Sequence, residues 1–546
     1  MTLRRFSKNL NLDLPLLKIL GGASITDLAE EAAERLLPSA IPLVQPTPPR
    51  TDDQLVLDAS PKPRIMEESK YESSSDARQS SVTESTELSS PPTSIKVDGE
   101  TQEPTFQRRA PMSLNQEHSW KLQKHAHDLT TFNSTIGMYM RGYIDLERLS
   151  RAFSTAFQRH EVFRTCFPDT GDDPSQPMQA IMKVPWTRFD AVPVADRAAA
   201  EQGFRDLDCQ SYNLAIGDTM KIVDFYWSPN DHILIIAYNQ LVCDGWTYEQ
   251  LFVEIAKLYD GAELPPPPQY AEFAARQRLD YEAGLMDGDI AFWKSLHRTL
   301  PSVLPVMSLP QAQSRRPSMW EHYTLTARQS PIHASLIKEG SRKLKATPMH
   351  FYLAAYYVLL ARLTGSTDIP IGVADANRSS LEDLSTMGFF YNILPLRLAY
   401  SMDCTFGEAL AMTKEQMRNG LLHSRVPYHV ILERLGVSNT TTHAPLFQVV
   451  FDYKQGQAES GSIGSAHMAG VLASRSRTPY DITLEMSDDP TKDPLITFKL
   501  QSSFYGPDDV KTVMSSYMSM ISMFSRDQAL RIDEGQLDQA LEVKQA

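Results

Sequence analysis

Between residues 38 and 110 the chain turns to proline, serine, threonine and glutamate, in runs such as ESSSDARQSS and ESTELSSPPTS. So few aromatic and branched side chains occur there that burial cannot offset the entropy of ordering the backbone. The stretch is therefore predicted to be a disordered tether, and any core must come from what flanks it. Before it, residues 1–37 carry two short helical patterns. Pro15 suits a first helical turn and precedes Leu16, Leu17, Ile19 and Leu20; after Gly21 and Gly22, Thr26 can cap a second helix with Asp27 and Glu30 near its start. Two short helices bury no core alone, so globular sequence is predicted to begin near Pro111.

From there the periodicity alternates between helix and strand. Leu146, Leu149, Phe153, Phe157 and His160 recur at helical spacing. Met220 to Trp227 and His232 to Tyr238 are strand-length and rich in branched and aromatic residues. Asn239 to Gly245 (NQLVCDG) then reads as a loop, and Thr247 with Gln250 as a capping box opening a helix that stops near Gly261. The run Pro265 to Pro268 predicts a spacer or lobe boundary. Thr347 and Pro348 open an apolar helix closed by Gly365, Asp368 to Val373 reads as a strand, and Val510 to Phe524 as a last amphipathic helix. Two α/β halves of similar size follow, 111–285 and 286–530, with a polar tail at 531–546. The default site lies between them.

The formal charge of −14 argues against a general grip on nucleic acid or anionic membrane, which needs a basic face. No apolar run approaches the roughly 18 residues of a membrane span. Four cysteines, Cys166, Cys209, Cys243 and Cys404, form no CxxC pair and suit a reducing compartment. The expected location is cytoplasmic. No metal-ligand spacing, phosphate loop or GxSxG elbow appears.

Six segments, in order, resemble the motifs of the condensation-domain family of nonribosomal peptide synthetases. They are MSLNQEHSW (112–120, with Ser113, Gln116 and Trp120), RHEVFRTCF (159–167), YAEFAARQ (270–277), IGVADANR with GFFYNILPLR (371–378 and 388–397), HSRVPYHVILERL (423–435) and HAPLFQVVFDY (443–453). Any one is weak; together they cover roughly 111–530. The resemblance implies an α/β fold of the chloramphenicol-acetyltransferase type, two lobes in a V around a tunnel. In that family the tunnel receives phosphopantetheine arms from carrier domains, so no cofactor is expected to bind directly. The implied partners are an acyl carrier domain with its polyketide chain and upstream synthase domains.

One motif departs from the family. Where the family reads HHxxxDG, this chain reads Asn239-Gln240-Leu241-Val242-Cys243-Asp244-Gly245. The family's second histidine faces thioester and nucleophile, and an imidazole suits proton transfer near neutral pH. Gln240 can donate or accept hydrogen bonds but cannot be a general base; loss of such a base costs roughly 10²- to 10⁴-fold. Asp244 and Gly245 are retained, and the resemblance implies a structural ion pair from Asp244 to Arg378. Asn392 resembles a pocket-lining position that contacts substrate. Cys243 is read as packing rather than nucleophilic, His160 as a helix-end residue, and His423 and His443 as loop or interface residues.

LDLPLLKILGGASITDLAEEA (12–32) resembles the end of an acyl carrier domain from fungal highly reducing polyketide synthases; Ser24 is not the phosphopantetheine serine, which would lie upstream. Carrier end, tether and condensation domain in this order resemble the C-terminal region of polyketide–peptide synthases. They also resemble the terminal condensation domain of lovastatin- and compactin-type nonaketide synthases, the comparison favoured by the short tail after Phe524. Two functions stay open: a noncatalytic module that holds a carrier-bound chain or stabilises the synthase, and an acyltransferase forming an amide or ester or releasing the polyketide, with Gln240 only orienting groups. A heterocyclising variant wants aspartates at the positions of both Asn239 and Asp244, and only the second is one.

Overall fold

The structure, a computed structural model, describes residues 95–97, 100–102, 105–126, 128–168, 177–304, 321–437, 443–455, 461–474, 478–489 and 492–534. The expected carrier end at 1–37, most of the tether and the tail from 535 lie outside these residues. The tether expectation needs one correction at its end. Phe106–Pro111 is a strand pairing with Met178–Met182, and Ile95–Val97 pairs with Glu100–Gln102. Arg108 explains part of this: it bonds Glu161, at 3.2 Å through Nε, so the segment is anchored by charge where apolar residues are few.

Two six-stranded sheets form the body. The N-lobe sheet runs Ser462–Ile463, Ala466–Ala473, Asn133–Arg141, Asp231–Asn239, Met220–Ser228, Phe189–Pro193. The C-lobe sheet runs His322–Arg328, Leu495–Gln501, Ile482–Asp488, Val449–Gln455, Asp368–Asp375, Asn392–Ala399, with its central pairs parallel. Each packs against helices. In the N-lobe, Leu146–Arg159 buries Leu149, Ala152, Phe153, Ala156 and Phe157, one stripe of a helix whose N-cap is Asp145, against Gly245–Tyr259. In the C-lobe, Pro348–Thr364 is apolar all round and buried on every side, between its sheet and the helices Phe406–Leu422 and Pro507–Arg526. Its ends are those the sequence predicts: Thr347 caps it, Pro348 starts it, and Gly365 ends it at φ +67°.

The linear split at 285/286 does not describe the lobes. Two strands from the second half, Ser462–Ile463 and Ala466–Ala473, complete the N-lobe sheet by covering the edge of Asn133–Arg141, whose backbone groups would otherwise lack partners. The approach is close: at Gly142, φ +119°, a Cβ would sit 2.8 Å from the Ala466 Cα. In return Met387, Phe389 and Phe390 belong to the N-lobe core. Helix Tyr270–Glu282, after the proline run, still packs on the N-lobe through Tyr270 and Ala274, so that run is a spacer and not a boundary.

Candidate functional site

The hairpin Met220–Ser228/Asp231–Asn239 delivers the NQLVCDG segment to the inner end of the N-lobe sheet. Asn239 closes its strand and is fully buried. Its amide donates to Gln123 Oε1 (3.1 Å) and Asn133 Oδ1 (3.0 Å), and its oxygen accepts from the Leu241 N–H (3.1 Å). Each hydrogen-bonding atom is thus engaged, and Asn239 is a hook for the turn. Helix Leu114–Lys124 supports the same turn: Ser113 and Gln116 form its capping box, and Gln116 Nε2 donates to Leu241 O at 3.0 Å.

Gln240 differs from both neighbours. Its backbone N–H donates to Phe132 O at 2.9 Å, and its side chain is partly exposed. Among the described residues its carboxamide has no hydrogen-bond partner. It is a donor and acceptor held at a fixed backbone position and left open.

Leu241, Val242 and Cys243 turn into the N-lobe core. Burial pushes the Cys243 thiol well up, with the Asp244 charge adding to it, so it stays protonated and unreactive. Asp244 then caps helix Gly245–Tyr259, accepting from the Thr247 N–H at 2.8 Å. This corrects the expected Thr247–Gln250 box. The Thr247 hydroxyl instead donates to Gly388 O (2.7 Å) and accepts from the Gly388 N–H (2.9 Å). Gly245 begins the helix, and a Cβ there would meet nothing within 4 Å.

Asp244 also joins the lobes. Arg378 Nη2 lies 3.0 Å from Oδ1 and 3.1 Å from Oδ2, and the Phe390 N–H donates to Oδ2 at 2.9 Å. Arg378 Nη1 donates to Asp383 O and Thr386 O, both at 2.8 Å, and its guanidinium lies 4.0 Å from the Phe390 ring centroid. Both charges are nearly solvent-free, with side-chain exposures of 6% and 1%. Such a pair is a tie rather than a reactive group: every carboxylate lone pair it needs is taken by a donor. Gly388 is required by the fit, since a Cβ there would sit 2.0 Å from the Tyr270 ring.

Asn392, expected to line the pocket, has another task. Its amide donates to Ser424 O and Val426 O, both at 2.9 Å, and its oxygen accepts from the Tyr428 N–H at 3.0 Å. It pins the 424–428 turn and has no free donor for a ligand. His160 ends its helix with Nε2 3.0 Å from Glu254 Oε1. Burial opposes it, but His160 and Arg159 hold the Glu254 carboxyl below the usual range. His423 pairs with Asp289 at 2.7 Å and stacks on Phe292. His443 begins the described segment 443–455. Sequence reasoning missed Thr247, Gly388 and Phe390, which join Asp244 to Arg378, because their partners are more than a hundred residues away.

Two lobes with this strand–loop–helix centre define a chloramphenicol-acetyltransferase-like acyltransferase fold. The chain belongs to the condensation domain family, whose model matches residues 106–545. It is 49% identical to the polyketide synthase component of compactin nonaketide synthase from Penicillium citrinum, over 96% of this chain and 18% of that protein. To the lovastatin nonaketide synthase component from Aspergillus terreus it is 48% identical, over 96% of this chain and 17% of that protein. The chain thus spans less than a fifth of these curated relatives. The solved condensation domain from Monacolin K polyketide synthase MokA is 48% identical, with a TM-score of 0.74, covering 78% of this chain and 100% of that one. Among the described residues, no helix is long and apolar enough to cross a membrane and no three metal-binding side chains converge.

Proposed function

We propose that this chain holds a carrier-bound acyl chain between its lobes, as the condensation domain of a fungal polyketide or polyketide–peptide synthase, and that it does not form an amide by the family's histidine chemistry. The observation that carries this reading is the open carboxamide of Gln240, without a titratable function, beside an intact Asp244–Arg378 tie. The fold-holding part of the motif is kept; the proton-handling part is replaced. Similarity to nonaketide synthase components supports a polyketide setting. The expected partners are an acyl carrier domain, whose phosphopantetheine presents the chain, and the upstream synthase domains. The cytoplasm is the proposed location.

The second reading is acyl transfer without a base, forming an amide or ester or releasing the chain. The same carboxamide favours it, because an unpartnered amide can orient a thioester carbonyl, and positioning alone is worth several kcal/mol. One experiment separates the two. The domain is mixed with a polyketide-loaded carrier and candidate amines or alcohols, and the carrier is followed by intact mass. Binding of the loaded carrier without loss of the acyl mass supports the holding role. Turnover that Gln240→Ala abolishes would overturn it. Activity gained in Gln240→His would show that the remaining machinery is competent.

A further inference from the structure

The C-lobe sheet has two unlike faces. Ile482, Leu484 and Met486 pack into the core beneath the helices, so the alternate residues face the other way. On that outer face Asp452 stands directly opposite Glu485. Lys454 Nζ lies 3.7 Å from Asp452 and 3.5 Å from Glu485, and Lys499 bonds Glu485 as well. Glu249, from the N-lobe helix Gly245–Tyr259, is among the charges acting on Lys454, so this face looks across at the other lobe.

Tyr391 enters the same space. Its backbone is fixed from the N-lobe side: Phe390 N–H is held by Asp244, and Asn115 Nδ2 donates to Tyr391 O at 3.0 Å. Phe390 turns into the N-lobe core, while the Tyr391 residue stays 37% exposed. Among the described residues its hydroxyl has no hydrogen-bond partner. Burial raises the phenol pKa well up, and the carboxylates of Asp452, Glu485 and Asp375 add to it, so it remains a donor at any ordinary pH. Asp375 ends strand Asp368–Asp375, and its Oδ2 is shut from solvent with no partner. Asp452, Lys454, Glu485 and Lys499 keep side-chain exposures of 18 to 39%. Protein crowds these groups, and solvent still reaches them. That combination describes a cleft wall, not a core.

We propose that Tyr391 is a specificity-determining residue of this cleft, its phenol donating a hydrogen bond to an oxygen on the bound acyl chain, so that an oxygenated chain is taken in preference to a fully reduced one. Lys454 and Lys499 are already paired with Asp452 and Glu485, and Asp375 and Glu249 add further acids, so the wall offers no surplus cation for an anion and suits a neutral hydroxyl or keto group. Tyr391 is the ligand-facing neighbour of Asn392, whose own side chain is engaged. The proposal rests on the acyl-holding reading above.

The test titrates the full chain with two N-acetylcysteamine thioesters, hexanoyl and 3-hydroxyhexanoyl, by calorimetry. The hydroxylated ester is expected to bind about fivefold more tightly, as one hydrogen bond predicts. In Tyr391→Phe, which keeps the ring, that preference falls to within about twofold. Thermal unfolding of the variant checks that it folds. Equal binding of both esters by the unaltered chain, or a preference that survives in Tyr391→Phe, overturns the proposal and leaves the holding role standing. Failure of both esters to bind overturns the holding role and this proposal together.

Discussion

Phe390 and Tyr391 are consecutive residues with opposite fates. Phe390 belongs to the junction: its N–H meets Asp244, its ring lies under Arg378 and packs against Phe273, 4.2 Å between centroids. Tyr391 belongs to the cleft, where its hydroxyl and the Asp375 Oδ2 have no partner among the described residues. The junction is a nearly complete hydrogen-bond network, in which Arg378 Nε alone of the Asp244 and Arg378 side-chain atoms lacks a partner among the described residues, and the cleft is an open one. A nearly complete network made of buried charges holds two lobes in one relation; open polar groups cost stability, and proteins keep them where something else supplies the partner. Damage to the junction should therefore lower stability, whereas neutralising the cleft should raise it.

The largest effect is expected from Arg378→Ala, which strands the Asp244 carboxylate in a nearly dry site. A loss of about 3–5 kcal/mol should appear in denaturant unfolding; a loss below about 1 kcal/mol would mean that the lobes are held elsewhere. Gly388→Ala comes next. Its Cβ would overlap the Tyr270 ring on a backbone pinned by Thr247, so about 2–3 kcal/mol should be lost.

A third change reads the junction by pH. His429, from helix Tyr428–Leu435, stacks on His118 across the lobes with ring centroids 4.3 Å apart. Burial, then the neighbouring His118, Lys121 and Arg278, holds the His429 pKa down to about 3. The unfolded chain therefore binds this proton first, and stability falls as pH drops below about 6.5, by about 2 kcal/mol at pH 5. In His429→Phe that part of the slope should vanish, as pH-resolved thermal melts would show.

The smallest effect has the opposite sign. Burial raises the Asp375 pKa to about 6 from 3.8, so its contribution is fully present below pH 3.8 and is lost as pH rises through 6. Asp375→Asn should thus gain on the unaltered chain by about 1–2 kcal/mol between pH 4 and pH 7. A loss at pH 7 would place Asp375 with the junction and erase the contrast.

Much of the fold was legible in the sequence. The stripe through Leu149, Phe153 and Phe157, and the Thr347–Pro348 start with its Gly365 stop, are local patterns and give the helices seen. Other features were not legible. Both Asp244 and Thr247 are acceptable N-caps, and only Gly388, 141 residues further along the chain, decides that the Thr247 hydroxyl goes elsewhere. At the site, the replacement at Gln240 and the candidate pair Asp244 and Arg378 could be picked out by motif; that Asn392 is engaged and Tyr391 open could not.

By itself the sequence determined the family, several of the long helices, three of the strands, and the absence of an ionisable side chain at position 240. The tertiary structure alone decided that residues 462–473 complete the opposite lobe's sheet and that Asp244 closes the junction. It also decided which of two adjacent side chains faces the cleft. The reason is range. Periodicity and caps act within a few residues and are written where they act, whereas the partner of a sheet edge or a buried charge is selected by whatever surface folding brings beside it.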